Sequence, residues 1–350
     1  MILKKIMIFS GGTLGHIFPA ISLINNLDMN EYDILFILTK KDQKYNIESK
    51  VSNVEIKYIE SYGISRKNLF KIFYKNIIAM RKIRQIMREF NPKLVIGMGG
   101  YISGIGIYCA KQLKIKTIIH EQNSVLGFAN KLVYKKVDCF LTTFPMKYKN
   151  SICIGNPRYN DAKEYGLNNN NINIKNNIIF ISGTLGSETI NELACKFINS
   201  ECAKKYQITI ITGKRYFEEM KKHNSRYNNV FIIPFTNNML NHLLKNNIII
   251  SRSGSTTLFE ILGLRKVAIL IPSPNVTNNH QEHNANFFKE NNLGEVILEK
   301  NLTFDYFINV LNKVENNQEY YQNNLAKINL PNAINEFIKN IKQLTGDINE

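Results

Sequence analysis

Tryptophan, paired cysteines and long apolar runs are missing from this sequence of 350 residues. It has no Trp and only five Cys, an odd number, and no two Cys form a Cys-x-x-Cys pair. This pattern disfavours a disulfide framework and a structural zinc site, and it is typical of a reducing cytoplasm. No stretch reaches the ~18 apolar residues that a membrane-spanning helix needs. We therefore expect a soluble or peripheral protein.

Several cofactor-binding patterns are also absent. No glycine-rich loop reads Gly-x-Gly-x-x-Gly with a ribose-binding acid behind it, and none reads as a P-loop, which disfavours nicotinamide cofactors and P-loop nucleotide hydrolysis. The Asp-x-Asp pair, with which metal-dependent sugar transferases hold a diphosphate, does not occur. His280 and His283 lie close in sequence, but no carboxylate or cysteine completes a ligand set. We predict no metal site and no cofactor.

Basic residues are concentrated in the first half of the chain. The net charge is +17, and residues 1–160 contain 25 Lys and Arg against 10 Asp and Glu, whereas residues 161–350 contain 20 against 18. A strongly basic half attracts an anionic partner, which can be nucleic acid, an acidic membrane surface or a phosphorylated substrate.

Apolar strands alternate with helical segments in both halves, as in parallel, doubly wound sheets. The length favours two domains. Pro19 is expected to open the first helix, the Asn-rich stretch 165–177 to be a surface connection, and residues 304–345 to be helical. The predicted strands are KKIMIFS, YDILFIL, VEIKYIE, KLVIGM, KTIIHEQ and CFLTTF in the first half, and NNIIFIS, YQITIIT, VFIIPF, NNIIIS and VAILIP in the second.

The tetrapeptide Gly-Thr-Leu-Gly occurs after the first predicted strand of each half, at 12–15 and at 183–186. Glycine lets the backbone approach a ligand closely, and the helix that follows supplies N–H groups and the positive end of its dipole. Such a loop suits a phosphate or a sugar. Taken alone, each copy is equally consistent with a tight turn from strand to helix.

Six motifs in order make the pattern more specific: GGTLGHIFPA, GMGGYISG, HEQNSVLGFANK, IGNPR, SGTLGSETIN and SRSGSTTLFE with HQEHNAN behind it. Over about residues 5–290 they resemble the MurG family, peripheral membrane enzymes that transfer N-acetylglucosamine from UDP-N-acetylglucosamine to undecaprenyl-diphosphate-linked muramyl-pentapeptide. The resemblance implies an α/β protein of GT-B fold, with two Rossmann-like, doubly wound parallel-sheet domains facing across a cleft, and inverting transfer. The expected domains are 1–157 for the acceptor and membrane and 158–324 for the UDP-sugar, with a C-terminal helix at about 325–350 packing back on the first.

The resemblance also implies the residues that bind UDP-N-acetylglucosamine. Ser255, Thr256 and Thr257 begin a helix and can offer N–H groups and hydroxyls to the diphosphate. Glu260 matches a carboxylate that accepts both ribose hydroxyls, although the residue taken alone favours a role in complementing the helix dipole or in a surface pair. The other matching positions are Gln281 and Asn123 for the sugar, Arg158 for the leaving UDP, Thr236 for uracil, Thr184, and Thr13, Leu14 and Gly15 of the first glycine loop.

His16, Tyr101 and Ser103 match residues on the acceptor side. An imidazole titrates near neutrality, so His16 is a candidate general base. It could equally bind the acceptor diphosphate or shape the turn, and Glu121 is a rival base. The chain departs from the family pattern at Leu14, which replaces a glycine, and at Leu264 to Val267, which replace Gly-Leu-Pro.

Residues 64–90 form a predicted basic helix with surplus apolar side chains. It contains eight basic residues and one acid. The surplus apolar surface beside a cationic face suits an anionic bilayer, and the alternative is a buried helix with a solvated charged face. A core stripe of Leu69, Phe73, Ile77, Met80 and Met87 is expected. The candidate membrane residues are Phe70, Lys71, Tyr74, Lys75, Ile78 and Lys82.

Three other functions compete with this interpretation. A diacylglycerol-type glycolipid synthase has a related fold, but the HEQN and GGYISG motifs favour the muramyl acceptor. A basic nucleic-acid-binding protein would explain the charge, but no such motif is visible, so we expect no nucleic acid partner. A UDP-sugar epimerase of the same fold would leave the basic apolar helix without a role.

Overall fold

Apolar runs of three to eight residues form the strands of two separate parallel sheets, whose buried faces favour β-branched and aliphatic side chains. The computed structural model describes residues 3–62, 69–169, 176–224 and 227–346, except for the side chains of 69–73 and 223–224. The chain divides into a first unit, Met1–Arg158 with Leu330–Glu350, and a second unit, Tyr159–Asn329.

The two sheets have the strand orders 3-2-1-4-5-6-7 and 10-9-8-11-12-13. The first sheet is formed by β1 (Lys4–Phe9), β2 (Tyr32–Thr39), β3 (Glu55–Ile59), β4 (Leu94–Gly97), β5 (Lys116–Glu121), β6 (Cys139–Thr142) and β7 (Ser151–Cys153). The second is formed by β8 (Asn177–Ile181), β9 (Gln207–Ile211), β10 (Val230–Ile233), β11 (Ile248–Ser251), β12 (Val267–Leu270) and β13 (Gly294–Val296). Every predicted strand is confirmed, and β7 and β13 are additional.

Helices connect most of the successive strands within each sheet, because parallel strands need a crossover connection and cannot be joined by a tight hairpin. The helices are α1 (Leu14–Asn25), α2 (Leu69–Phe90), α3 (Tyr101–Gln112), α4 (Phe128–Val133), α5 (Pro157–Asn168), α6 (Glu188–Ile198), α7 (Phe217–Asn224), α8 (Met239–Leu244), α9 (Ser255–Gly263), α10 (His280–Glu290), α11 (Phe304–Asn316), α12 (Gln318–Lys327) and α13 (Ala333–Thr345). Part of the predicted connection at 165–177 belongs to α5, and residues 170–175 lie outside the described part. The helical prediction for 304–345 is confirmed.

Pro19 does not open the first helix, and that prediction was wrong. The helix α1 begins five residues earlier, at Leu14, and Pro19 lies inside it. Proline has no N–H to donate to the carbonyl four residues before it, which here belongs to Gly15. The early start places His16 in the first turn of α1.

The last helix, α13, packs against the first sheet. It contacts α1 and β4, and the Phe337 ring lies edge-on to the His120 ring with 5.2 Å between centroids. The Cys139 thiol donates to Asn340 Oδ1 at 3.3 Å. The C-terminal segment therefore belongs to the core of the first unit. The chain divides after Arg158, and the returning segment begins at Leu330.

Candidate active site

Both Gly-Thr-Leu-Gly loops lie where the strand order of their sheet reverses. The first follows β1, between β2 and β4, and the second follows β8, between β9 and β11. Such switch points at the carboxyl ends of parallel strands are where doubly wound sheets bind ligands. Gly12 and Gly183 have φ values of +91° and +77°, which only glycine adopts readily. The repeat therefore places two equivalent loops on two sheets.

The two loops differ in where the helix begins. In the first, α1 begins inside the tetrapeptide, so Leu14 points into the core and is 4% exposed, while Thr13 is exposed. In the second, α6 begins later, after Ser187 caps it by accepting from Ile190 N, and Leu185 is 71% exposed. The Leu14 side chain is thus a core residue, and only its backbone can face a ligand.

A buried carboxylate anchors the first glycine loop, and the sequence analysis missed it. Gly12 N donates to both oxygens of Asp42 at 3.2 and 3.3 Å, and the Thr39 N–H and hydroxyl donate to Oδ2 at 3.0 and 2.6 Å. Asp42 lies 30 positions from Gly12. This carboxylate ties the loop to the end of β2, so that the start of α1 is held in place.

His16 contacts the segment that follows β5. Its Nδ1 lies 2.9 Å from Gln122 Oε1, and Gln122 Nε2 donates to Met98 O at 2.8 Å and to His16 O at 3.4 Å. Gln122 is buried and His16 is half-buried. The HEQN motif therefore lies beside the first glycine loop. Gln122 is a further residue that the sequence analysis did not single out.

Glu121 is enclosed by donors. It is 2% exposed, and its two oxygens accept from Asn123 N at 3.0 Å, Asn123 Nδ2 at 3.3 Å, Gly127 N at 2.8 Å and Asn130 Nδ2 at 2.9 Å. A carboxylate in this arrangement shapes the loop between β5 and α4. It also orients Asn123, the predicted sugar-binding residue.

Tyr101 and Ser103 lie in the first turn of α3, which begins after Gly100. Tyr101 is half-buried, and burial raises the pKa of its phenol. Ser103 is fully buried, and a Cβ added at Gly97 would lie 2.4 Å from its Oγ. The helix α3 turns the Ser103 side chain towards β4, and the acceptor-side role of this residue stays a prediction.

Arg158 lies near α1 in the first unit. Its guanidinium carbon is 5.5 Å from the centroid of the Phe18 ring, and Lys50 Nζ is 5.8 Å from the same ring. Burial, and after it the positive charge of Arg158, lower the pKa of Lys50. His120 Nε2 lies 3.1 Å from Gly155 O and so fixes the segment that leads to Arg158. Two cations therefore lie close to the first turns of α1.

In the second unit, α9 begins at Ser255, with three residues between it and the end of β11, within the Gly-Ser-Thr-Thr segment. Gly254 is the N-cap, and as a glycine it contributes no side-chain cap bond to the first turn. Ser255 and Thr256 are buried and Thr257 is half-buried. Glu260 lies in the second turn and is buried. The three predicted diphosphate residues thus share the first turn of one helix.

Gln281 lies at the start of α10, close to the loop that follows β12. Its Oε1 accepts from Ser273 N at 2.9 Å, and its backbone carbonyl accepts from Ser253 Oγ at 2.7 Å. The side-chain oxygen is therefore engaged with the protein, and the amide N–H groups are the part suited to sugar hydroxyls. Thr236, after β10, accepts from Asn238 N at 3.0 Å and forms a turn. Thr184 is half-buried in the second glycine loop.

Arg252, directly after β11, is another residue that the sequence analysis missed. Its Nε donates to Ser187 Oγ at 3.1 Å, its Nη1 donates to Ile271 O at 3.0 Å, and it forms an ion pair with Glu299. It therefore links the cap of α6 to the loop after β12. Its position at a strand end, within Ser-Arg-Ser-Gly, is the signal that could have found it.

A cavity of about 380 Å³ beside Glu299 is lined by Pro272, Pro274, Asn279, Glu282, Leu298, Glu299 and Lys300.

The helix α2 buries one face and exposes another. Ala79, Ile83, Ile86 and Met87 are buried, with Met80 packed beside them. Of the predicted core stripe, Met87 is buried, Ile77 is half-buried, and the side chains of Leu69 and Phe73 lie outside the described ones.

The candidate membrane residues of α2 have different environments. Tyr74 is 66% and Ile78 47% exposed, and Lys82 is exposed. Lys75 instead pairs with Glu60 at 3.0 Å. The side chains of Phe70 and Lys71 lie outside the described ones.

No helix in the part of the chain that the structure describes is both long and apolar enough to span a membrane. Within the same ranges, no three His, Cys, Asp or Glu side chains are grouped to hold a metal ion.

Solved structures share this architecture over nearly the whole chain. The crystal structure of Acinetobacter baumannii MurG has a TM-score of 0.76 and 21% identity, and covers 98% of this chain and 100% of that one. A UDP-N-acetylglucosamine 2-epimerase from Neisseria meningitidis, bound to UDP-N-acetylglucosamine, has a TM-score of 0.64 and 13% identity, with coverage of 97% and 100%. The two parallel α/β units with their switch-point loops define the GT-B class of proteins.

Sequence relatives narrow this class. Residues 6–142 match the Glycosyltransferase family 28 N-terminal domain, and residues 177–344 match its C-terminal domain. A Finegoldia magna protein named UDP-N-acetylglucosamine–N-acetylmuramyl-(pentapeptide) pyrophosphoryl-undecaprenol N-acetylglucosamine transferase is 34% identical, covering 97% of this chain and 98% of that protein. A protein of the same name from Bacillus cytotoxicus is 33% identical, with coverage of 97% and 99%. The chain belongs to glycosyltransferase family 28 and, within it, to the MurG family.

Proposed function

We propose that this enzyme transfers N-acetylglucosamine from UDP-N-acetylglucosamine to the 4-hydroxyl of muramyl-pentapeptide linked to undecaprenyl diphosphate, a step of peptidoglycan synthesis. The observation that carries the proposal is the relationship, over 97% of the chain, to proteins named for this transfer. The glycine loops and the first turn of α9 support it, because the starts of helices are suited to phosphate-bearing substrates.

The reaction has two chemical requirements. The acceptor hydroxyl loses its proton while its oxygen bonds to the anomeric carbon, and the bond from that carbon to UDP breaks with UDP taking the electron pair. A base must therefore stand near the acceptor, and fixed positive charge must stand near the diphosphate. Attack opposite the leaving group inverts the anomeric centre.

We assign the base to His16 and a loop-shaping role to Glu121. The imidazole is half-buried in the first turn of α1, whereas both Glu121 oxygens accept hydrogen bonds from the loop before α4. Tyr101, in the first turn of α3, lies on the same acceptor side.

On the donor side, the first turn of α9 binds the diphosphate through its N–H groups and dipole. Glu260 accepts the ribose hydroxyls, and Gln281 donates its amide N–H groups to the sugar, because its oxygen already accepts from Ser273 N. Thr236 borders uracil. Asn123, Thr184, Arg158 and the first glycine loop complete the assignment, and none of these roles needs a metal or a cofactor.

We further propose that α2 and its neighbours bind the anionic, cytoplasmic face of the cell membrane. Tyr74 and Ile78 are exposed on α2. The helix α3 contacts both α2 and α4, and on α4 the side chains of Phe128 and Leu132 are also exposed. Exposed basic residues accompany them, which suits an interfacial surface facing acidic lipids. They include Arg81, Lys82 and Lys131.

An acceptor comparison tests the function. Purified enzyme is supplied with labelled UDP-N-acetylglucosamine and either lipid-linked muramyl-pentapeptide or diacylglycerol, in vesicles of the same anionic lipid. We expect label only in the muramyl lipid. Label in diacylglycerol alone would support a glycolipid synthase. Conversion of the UDP-sugar without any acceptor would support an epimerase, whose fold is shared.

A further inference from the structure

A hydrogen bond between Gln122 and His16 joins the end of β5 to the first turn of α1. This bond also bears on which nitrogen of the His16 ring carries the hydrogen. Gln122 is buried, and its Oε1 lies 2.9 Å from His16 Nδ1. Its Nε2 donates to Met98 O at 2.8 Å and to His16 O at 3.4 Å. The side-chain amide therefore uses both of its ends within the protein.

The backbone carbonyl oxygens of Met98 and His16 fix which end of the Gln122 side-chain amide faces the imidazole. A carbonyl oxygen only accepts hydrogen bonds, so an exchange of the amide oxygen and nitrogen would set Oε1 against Met98 O with no hydrogen between them. Oε1 is therefore the atom beside His16. Because Oε1 only accepts, His16 Nδ1 carries the hydrogen of the bond, and in the neutral ring Nε2 carries the lone pair.

Gly99 fixes the position of the same ring. Its φ is +101°, and a Cβ added there would lie 2.4 Å from His16 Nδ1 and 3.0 Å from Cε1. The imidazole thus lies directly against the backbone after β4. A side chain at this position would displace the ring from the Gln122 oxygen.

We propose that Gln122 is a positioning residue that holds His16 as the Nδ1–H tautomer, so that Nε2 takes the proton of the acceptor hydroxyl. This inference rests on the proposed function, in which His16 is the base. The acceptor O–H bond breaks and its proton goes to Nε2, while the oxygen bonds to the anomeric carbon and UDP leaves with the electron pair. The imidazolium keeps its Nδ1–H bond to Gln122 Oε1 and later returns the Nε2 proton to water.

Two substitutions separate this role from simple packing. Gln122→Met keeps a similar volume but offers Nδ1 no acceptor, so the tautomer is no longer fixed. Gln122→Glu keeps an oxygen for Nδ1–H and, when protonated, can still donate to Met98 O. Gln112→Met is the matched control, because Gln112 is exposed on α3 and bonds only locally, to the Tyr108 hydroxyl at 3.0 Å.

The experiment combines nitrogen NMR of histidine-labelled full-length enzyme with steady-state transfer kinetics. The chain has six His, and His16 is assigned from the signals that His16→Gln removes. We expect protonated Nδ1 and unprotonated Nε2 in the neutral ring of the wild type and of Gln122→Glu. In Gln122→Met we expect a mixture of tautomers and a fall in kcat of about 10-fold to 100-fold, with KM for UDP-N-acetylglucosamine unchanged.

Three results would overturn the inference. One is a wild-type His16 with its proton on Nε2. Another is an unchanged tautomer in Gln122→Met, and the third is equal loss of kcat in Gln122→Met and Gln122→Glu. If wild-type enzyme transfers no sugar, the proposed function and the catalytic part of the inference both fail, and the spectrum still decides whether Gln122 sets the tautomer.

Discussion

Leu14 and Leu185 occupy the same position of the repeated Gly-Thr-Leu-Gly sequence, yet Leu14 is 4% exposed and Leu185 is 71% exposed. The cause is the different start of the following helix. Leu14 is the first residue of α1 and packs into the first unit, whereas Leu185 precedes α6 by three positions. The shared architecture of the two loops therefore does not extend to the role of this side chain.

The two leucines make a matched pair for a stability measurement. Leu14→Ala leaves a cavity in the core and is expected to lower the free energy of unfolding by about 2–5 kcal/mol. Leu185→Ala removes an exposed side chain and is expected to change it by less than about 0.5 kcal/mol. Urea unfolding measures both. Equal effects would contradict the assigned environments.

Transfer kinetics of two variants can decide whether His16 or Glu121 is the base. His16→Gln removes the proposed base, and we expect kcat to fall by about 10²-fold to 10⁴-fold. Glu121→Gln replaces two acceptors by one acceptor and one donor, so we expect a loss of stability of about 1–3 kcal/mol, with a smaller loss of kcat. Transfer rates and urea unfolding of both variants supply the test. A larger kcat loss in Glu121→Gln would reverse the assignment.

His120 gives the first unit a predictable acid sensitivity. The pKa of its imidazole is lowered to about 4, mainly by burial; the bond to Gly155 O opposes this shift, and the nearby His16 adds to it. In the unfolded chain the His120 imidazole has its ordinary pKa of ~6.5, so it takes up a proton at a higher pH than in the folded protein. With respect to His120, the folded protein therefore has its full stability above about pH 6.5. As the pH falls towards 4, the free energy of unfolding decreases by about 3 kcal/mol.

The variant His120→Gln isolates this effect, because glutamine can donate to Gly155 O but does not titrate. Urea unfolding at several values of pH should show a smaller loss of stability between pH 6.5 and 4 than in the wild type. The exposed His283→Gln serves as the control and should follow the wild-type slope. Identical slopes for His120→Gln and wild type would exclude His120 as the source.

The proposed membrane surface is tested with sedimenting vesicles. Replacing Tyr74 and Ile78 together by serine removes exposed apolar area from α2, and we expect weaker binding to vesicles containing acidic lipid. Tyr320→Ser is the control, because Tyr320 is 51% exposed on α12 of the second unit. Binding should also weaken with salt, since the basic residues contribute. Equal binding by all three proteins would argue against this surface.

Local patterns predicted much of the fold. Buried parallel strands are near-continuous apolar runs, so the strands from β1 to β12, apart from β7, could be identified from the sequence. The three-residue strands β7 and β13 are too short to form such a run. Pro19 misled the prediction of α1, because a proline inside a helix resembles one at its start.

The side-chain contacts of the site depend on distant pairs and could not be predicted in this way. Gln122 meets His16 across 106 positions, and Asp42 meets Gly12 across 30. Neither pair has a spacing that marks it. The burial of Leu14 and Ser103 likewise follows from where α1 and α3 begin, which the motifs alone do not specify.

The configuration of the product tests the central claim most directly. Wild-type enzyme is incubated with UDP-N-acetylglucosamine and the undecaprenyl-diphosphate-linked muramyl-pentapeptide, and the purified product is examined by proton NMR. We predict one N-acetylglucosamine joined through a β bond to the muramyl 4-hydroxyl, since the α-linked donor is inverted. An α bond, another position of attachment, or an epimerised UDP-sugar with no glycoside would contradict the account.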